Sequence, residues 1–331
     1  MQYTRAMRAI VISKPGGPEV LELRDVPAPE PARGEARVRV RATAVNRADL
    51  LQRLGMYPAP PDSPQDIPGL EFAGEVDAIG DGVTEVAVGD RVFGLAGGGT
   101  YAEQLVAHPR TLVPIPDGLS FRDAAAVPEA FITAYDAMVT QGGLAAGETV
   151  LIHAVGSGVG TAAAQIANAI GARAVGTTRT ADKLERAKAL GLRAGAVAED
   201  GAFAKAVLEA AGGPVDVVLE LVGGGYVAED LRCVAPRGRI IVVGLLAGIR
   251  TELDLGTLLR KRISITGTVL RSRPIEEKIE AAQAFRRHLI PLWETAGLAP
   301  VVDRAFPLAE AAAAHVYVQS NEGFGKVVLE I

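Results

Sequence analysis

The sequence predicts a two-domain α/β protein, in which a partly barrelled antiparallel β domain is joined to a doubly wound parallel sheet. Three observations predict it. At 331 residues the chain is longer than one ordinary hydrophobic core requires. Near residue 130 its grammar changes from short β-rich runs to strands alternating with helices. An apolar strand after that point runs into a glycine-rich turn. Residues 1–130 together with 271–331 are expected to form the first domain, and 131–270 the second.

In the first part, β-rich runs at 6–13, 36–44, 72–79, 91–94 and 101–107 are separated by turns rich in Gly and Pro. This is the pattern of an antiparallel β domain. In the second part, strands are expected at 149–154, 173–178, 195–198, 215–221, 239–243 and 263–268. Helical patterns lie between several of them, including 181–190 and 202–211. Strands and helices at this spacing are βαβ units, hence a parallel sheet. From Pro274 a long amphipathic helix is followed by a final strand at 326–331, expected to return to the first domain.

With 49% apolar and 22% charged residues, the chain reads as a globular enzyme rather than a disordered segment. A net charge of −5 without a basic stripe argues against nucleic acid as a partner. The single cysteine, Cys233, rules out an internal disulfide or a multi-cysteine zinc cage. No apolar run is long enough to span a bilayer, so a cytoplasmic protein is expected.

The turn His153-Ala154-Val155-Gly156-Ser157-Gly158-Val159-Gly160 suits a pyrophosphate. Glycines let the backbone approach, and N–H groups at the start of the following helix attract anionic oxygens. Counted from Gly156, Thr161 stands where the third glycine of the usual fingerprint falls. An NAD-preferring site carries an acid at the end of its second strand. Here the segment reads Gly176-Thr177-Thr178-Arg179-Thr180-Ala181-Asp182-Lys183, with no acid at the strand end. Arg179 and Lys183 could meet a 2′-phosphate, or be ordinary charges at a helix start.

These motifs occur with Lys14-Pro15-Gly16-Gly17-Pro18-Glu19, Asn46-Arg47-Ala48-Asp49-Leu50, Tyr57, Gly69-Leu70-Glu71, Ala125-Ala126-Val127-Pro128-Glu129-Ala130, Leu270-Arg271-Ser272-Arg273 and Gly325-Lys326-Val327-Val328-Leu329-Glu330. Together they resemble the zinc-free quinone oxidoreductases of the medium-chain dehydrogenase superfamily, the group that includes zeta-crystallin, over essentially the whole chain. The resemblance implies a GroES-like first domain, a Rossmann second domain, NADPH as cofactor, a quinone or enone as substrate, and a homodimer. It also implies that no metal is bound, because Asn46 and Leu70 stand where zinc-dependent relatives carry cysteine and histidine.

Carried over by residue, the resemblance places Asn46, Asp49 and Tyr57 at the nicotinamide and substrate, with Thr133 close to the nicotinamide. Ser157, Gly158, Val159 and Gly160 fall at the pyrophosphate, and Ser157 also lies near the reactive end. Thr177, Arg179 and Lys183 fall at the adenosine phosphate; Gly244, Leu245 and Leu246 at the carboxamide side; Asn321 is a late contact. Tyr57, Ser157, Asn46 and Asp49 are the candidate catalytic residues. Two departures from the pattern, Ala198 and Arg179, concern the phosphate grip. The leading expectation is NADPH-dependent quinone reduction. The alternatives are reduction of α,β-unsaturated carbonyls and a non-catalytic NADPH-binding redox sensor.

Overall fold

The computed structural model describes residues 6–198 and 201–331, which fall into two compact units. The first takes the described residues up to Glu129, then Leu270–Trp293 and Pro300–Ile331; the second takes Ala130–Val269 and Glu294–Ala299.

The spine of the first unit is the strand Ala36–Val45, whose residues are almost all buried. One edge pairs antiparallel with Glu71–Ile79. The other pairs with Gln104–Ala107 and then with Lys326–Glu330. The chain end thus returns to this sheet, with Val327 opposite Val45, so Lys326 arrives beside Asn46. Val302–Pro307, Arg91–Leu95 and Val113–Pro114 complete the sheet. A separate ribbon pairs Ala6–Ile12 with Leu21–Pro27. The second of these strands is not legible in the sequence, because Glu22, Leu23, Arg24 and Asp25 are all exposed and the period-2 signal is lost. Ile10, Val11, Tyr101, Val327 and Leu329 form one core here, and Val38, Phe72, Val92 and Leu112 another.

The second unit is a six-stranded parallel sheet in the order Leu192–Val197, Arg173–Thr178, Thr149–Ile152, Val215–Glu220, Val234–Val242, Ser264–Gly267. The order reverses between Thr149–Ile152 and Val215–Glu220. In such sheets the crevice beyond the carboxyl ends of the two strands at the reversal is the usual ligand site. Leu151, Val218 and Ile240 are wholly buried between the layers. Val234–Val242 has both edges occupied, so the outer edge on that side belongs to Ser264–Gly267 alone. Among the described residues no helix is long and apolar enough to cross a membrane.

Candidate active site

At the reversal point the strand Thr149–Ile152 ends in His153 and Ala154, and Ala154 takes a positive φ of 46° to turn the chain. The helix Gly158–Ala169 then begins with Ser157 as its N-cap, whose Oγ accepts from the Gly160 N–H at 3.0 Å. This cap leaves the amides of Gly158 and Val159, at the outset of the first turn, available to an anion. Gly160 has a packing reason as well: a Cβ there would lie 2.5 Å from the Ala154 carbonyl oxygen and 2.7 Å from the Val155 Cα. Gly160 therefore lets the helix start pack directly on the backbone of the turn, and Thr161 sits one step past that contact.

The expected phosphate residues divide. Arg179 is exposed beyond the strand Arg173–Thr178, and Lys183 is partly exposed in the first turn of the helix Ala181–Lys188. Thr177 is buried, and its hydroxyl lies 2.6 Å from His153 Nδ1. After Val234–Val242, Gly244 approaches the next strand end so closely that a Cβ would be 2.3 Å from the Leu221 carbonyl oxygen, while Leu245 and Leu246 stay exposed. The Thr133 hydroxyl is buried and has no hydrogen-bond partner. Buried polar groups are nearly always paired, so this orphan fits a hydroxyl kept for a ligand such as the nicotinamide carboxamide. The open helix start, the two close-approach glycines and the orphan hydroxyl all fit a dinucleotide.

Beneath the turn lies a cluster with no precedent in the sequence expectations. His153 Nε2 is 2.8 Å from Asp230 Oδ1 and 3.7 Å from Glu220 Oε2, with all three side chains fully buried. Glu220 Oε1 also accepts the N–H groups of Val222 and Gly223. Burial pushes His153 down to about 4, Glu220 up to about 7 and Asp230 up to about 8. His153 is therefore neutral, donating from Nε2 to Asp230 and accepting from Thr177 at Nδ1. As carboxylates, Glu220 Oε2 and Asp230 Oδ2 would find no donor. A proton held between the two acids supplies one. Although the three residues could hold a metal ion by their types, the 2.8 Å contact is a hydrogen bond that a metal would have to break.

In the first unit Asn46 ends the strand Ala36–Val45 and caps the helix Arg47–Arg53. Asp49, at the third helical position, accepts the Asn46 N–H at 2.7 Å, the Tyr101 hydroxyl at 3.1 Å and the Gly69 N–H at 3.2 Å. It is completely buried, and burial raises its carboxyl to about 6, against the opposing pull of these donors and of Lys326. Asp49 therefore ties the Asn46 and Gly69 backbones together. Tyr101 continues the chain of contacts to His315 at 3.2 Å, and His315 to Arg53 at 3.4 Å.

The Asn46 carboxamide is committed on both sides. Its Nδ2 donates to Glu71 Oε1 at 2.9 Å, and its Oδ1 accepts from Lys326 Nζ at 2.5 Å. Lys326 in turn pairs with Glu71 Oε1 at 2.6 Å. Both charged side chains are buried, and Leu70, next to Glu71 in the chain, is 2% exposed. This pairing escaped sequence reasoning, although a lysine heading the apolar run Val327–Leu329 was its visible signal.

Tyr57 is half-buried, and burial raises its phenol above the ordinary value. The guanidinium of Arg271 lies over its ring at 5.0 Å and donates to its carbonyl at 3.2 Å and to that of Gly97 at 2.7 Å. Asn321 caps the helix Ala311–Ser320 in the left-handed conformation, and its side chain meets Arg47. The first unit thus brings together Asn46 and Asp49, while the second groups Ser157, Gly158, Val159 and Gly160 around one helix start.

Known proteins carry the same two-part plan. Residues 32–117 match the family described as alcohol dehydrogenase GroES-like domain, and residues 158–286 that described as zinc-binding dehydrogenase. A quinone oxidoreductase of Pseudomonas aeruginosa is 38% identical over 320 residues, covering 95% of this chain and 96% of that one. The solved structure of a Pseudomonas syringae pv. Tomato DC3000 quinone oxidoreductase superposes with a TM-score of 0.86 at 31% identity, covering 98% of this chain and all of that one. The mycobacterial protein Rv1454c, solved complexed with NADPH, gives 0.86 at 29% identity with the same coverage. With a dinucleotide crevice at the sheet reversal and full-length relatives of this kind, the chain belongs to the quinone oxidoreductase family of the medium-chain dehydrogenase/reductase superfamily and is an enzyme of that type, working with a nicotinamide cofactor.

Proposed function

We propose that this enzyme reduces quinones with NADPH and without zinc. The observation that carries the reading is the buried Lys326 ammonium, 2.5 Å from Asn46 Oδ1 and 2.6 Å from Glu71 Oε1. It already supplies the positive charge this pocket needs, and a divalent cation placed there would meet a like charge and the apolar Leu70. An acceptor that needs no Lewis acid is then the fitting substrate. A quinone is one, because its ring gains aromaticity on taking up hydride and negative charge.

When bound, NADPH supplies the hydride. Ser157 Oγ already accepts from Gly160, which leaves its O–H as a donor. Tyr57 is kept a phenol by burial and steadied by Arg271, so it can donate to the oxygen on which charge develops. The Asn46 carboxamide has less to offer a substrate, since Lys326 and Glu71 hold it. Asn46 and Asp49 act here chiefly as positioning residues. The reading is tested by following NADPH oxidation with a panel of quinones and enones, with and without chelator. Quinone turnover indifferent to chelator is expected; stoichiometric zinc on which activity depends would refute it.

The preference for NADPH is assigned to Arg179, with Lys183 beside it. The 2′-phosphate brings close to two negative charges, and no acid at the strand end repels it. A charge-assisted hydrogen bond contributes about 1.5–3 kcal/mol, and the exposure of Arg179 favours the lower figure. Arg179→Ala is expected to raise KM for NADPH roughly tenfold and leave NADH kinetics nearly unchanged. Equal loss with both coenzymes would remove Arg179 from the phosphate site. A homodimer sharing the Ser264–Gly267 edge belongs to the same reading, since a bare strand edge invites pairing. Light scattering at micromolar concentration should give twice the chain mass.

A further inference from the structure

We propose that Glu129 is the proton donor that completes reduction of the acceptor, delivering its carboxyl proton through the small cavity it lines with Arg271 and Lys278. The inference rests on the quinone reading above. A quinone that has accepted hydride is a hydroquinone monoanion, and it becomes the neutral product only by gaining one proton. In the step assigned here the O–H bond of Glu129 breaks, an O–H bond forms on the product, and the carboxylate left behind is reprotonated from solvent. Atoms and charge then balance with no further reactant.

Several features place a proton at this residue. Glu129 lies in the wide turn Pro128–Ile132, wound as one turn of π-helix, a form that often marks functional sites. Its N–H donates to Glu71 Oε2 at 2.8 Å, so the backbone is pinned to the buried Glu71–Lys326 pair. Glu129 lines a cavity of about 20 Å³ together with Leu95, Ala96, Leu270, Arg271 and Lys278, room enough for one water. Arg271 and Lys278 share this lining. Arg271 also lies over the Tyr57 ring, so one guanidinium borders both the cavity and the phenol assigned to the acceptor.

The charges facing Glu129 are Glu71 and Asp49, which disfavour its anion, and Lys326 and Arg271, which favour it, with Lys278 also on the cavity wall. Tyr57 feels its charge as well. Burial is the largest influence and the Glu71 carboxylate the next, and together they push Glu129 up to about 8, although its side chain keeps some contact with solvent. An ordinary glutamate has given up its proton by pH 7, whereas this one retains it and sits near the value at which a general acid works best.

The test compares the wild type with Glu129→Gln, which keeps the shape but cannot give up a proton, and with Glu129→Asp, which can. With a simple benzoquinone, wild-type kcat should be level below about pH 8 and fall about tenfold per unit above it. Glu129→Gln should be about a hundredfold slower at pH 7 and lose that alkaline fall, and Glu129→Asp should keep it. As a readout independent of turnover, carbon-13 NMR of glutamate carboxyls in the cofactor-free protein should show one group titrating near pH 8 that Glu129→Gln removes. Wild-type rate and pH profile in Glu129→Gln, or no such resonance, would overturn the proposal alone. A wild type inactive towards every quinone would instead sink the quinone reading, and the NMR titration would still report whether Glu129 holds its proton.

Discussion

Replacing Lys326 by methionine is expected to destabilise the first unit by about 3–5 kcal/mol, the usual cost of removing one partner from a buried ion pair. The Nζ of Lys326 satisfies Glu71 Oε1, Asn46 Oδ1 and the Val45 carbonyl at once. Methionine fills the space but leaves the Glu71 carboxylate, which has no exposed surface, with the Asn46 amide and the Glu129 N–H as donors and no countercharge. The Asn46 carboxamide also loses one of the two contacts that hold it, so quinone turnover should fall with stability. A second substitution isolates the cause. Combining Lys326→Met with Glu71→Gln removes the stranded charge, and the double variant should recover a large part of the loss. Urea unfolding followed by a probe in the first unit measures both. A single variant within 1 kcal/mol of wild type, or a double variant no better than the single, would show that the pair does not carry this pocket.

Asp230→Asn should change how stability depends on pH. The folded protein holds Asp230 at about 8 and Glu220 at about 7, both raised first of all by burial, whereas in an unfolded chain such groups titrate near 4. Because the folded values are raised, the stability these protons contribute is fully present below about pH 4 and is lost as the pH climbs towards 7 to 8. Each proton retained in this window corresponds to a slope of about 1.4 kcal/mol per pH unit. The two acids are coupled and share a proton, so the total amounts to a few kcal/mol. Asparagine can still accept from His153 Nε2 and can donate to Glu220 without titrating. The variant should therefore gain on wild type steadily between pH 5 and about pH 8, and level off above it. Stability curves that run parallel over that range would mean that the buried acids are ionised and paired in some other way.

Much of this protein is written locally. The change from period-2 runs to βαβ units near residue 130, the glycine turn after Thr149–Ile152, and the returning strand Lys326–Glu330 all depend on neighbours in sequence, through side-chain alternation, backbone freedom and helix capping. Strand Leu21–Pro27 and helices such as Tyr226–Cys233 and Ala311–Ser320 were less legible, because exposed charges or an apolar face on all sides blur the period. The family resemblance implied which residues would meet a dinucleotide and that Asn46 and Leu70 replace the cysteine and histidine of zinc-dependent relatives.

What it did not determine is which polar groups are spent on one another. Lys326 and Glu71 are 255 positions apart, as are neither Asn46 and its capping partner Asp49 nor any motif that periodicity detects; only the pairing of Val327 with Val45 brings the ammonium to the carboxamide. His153, Glu220 and Asp230 come from three segments and meet only at the reversal of the parallel sheet. The proton on Glu129 likewise arises from burial and from the charge of Glu71, both of which exist only once distant strands have closed around it. Residue type is a local property, but the solvation and charge environment that set its chemistry are properties of the folded chain.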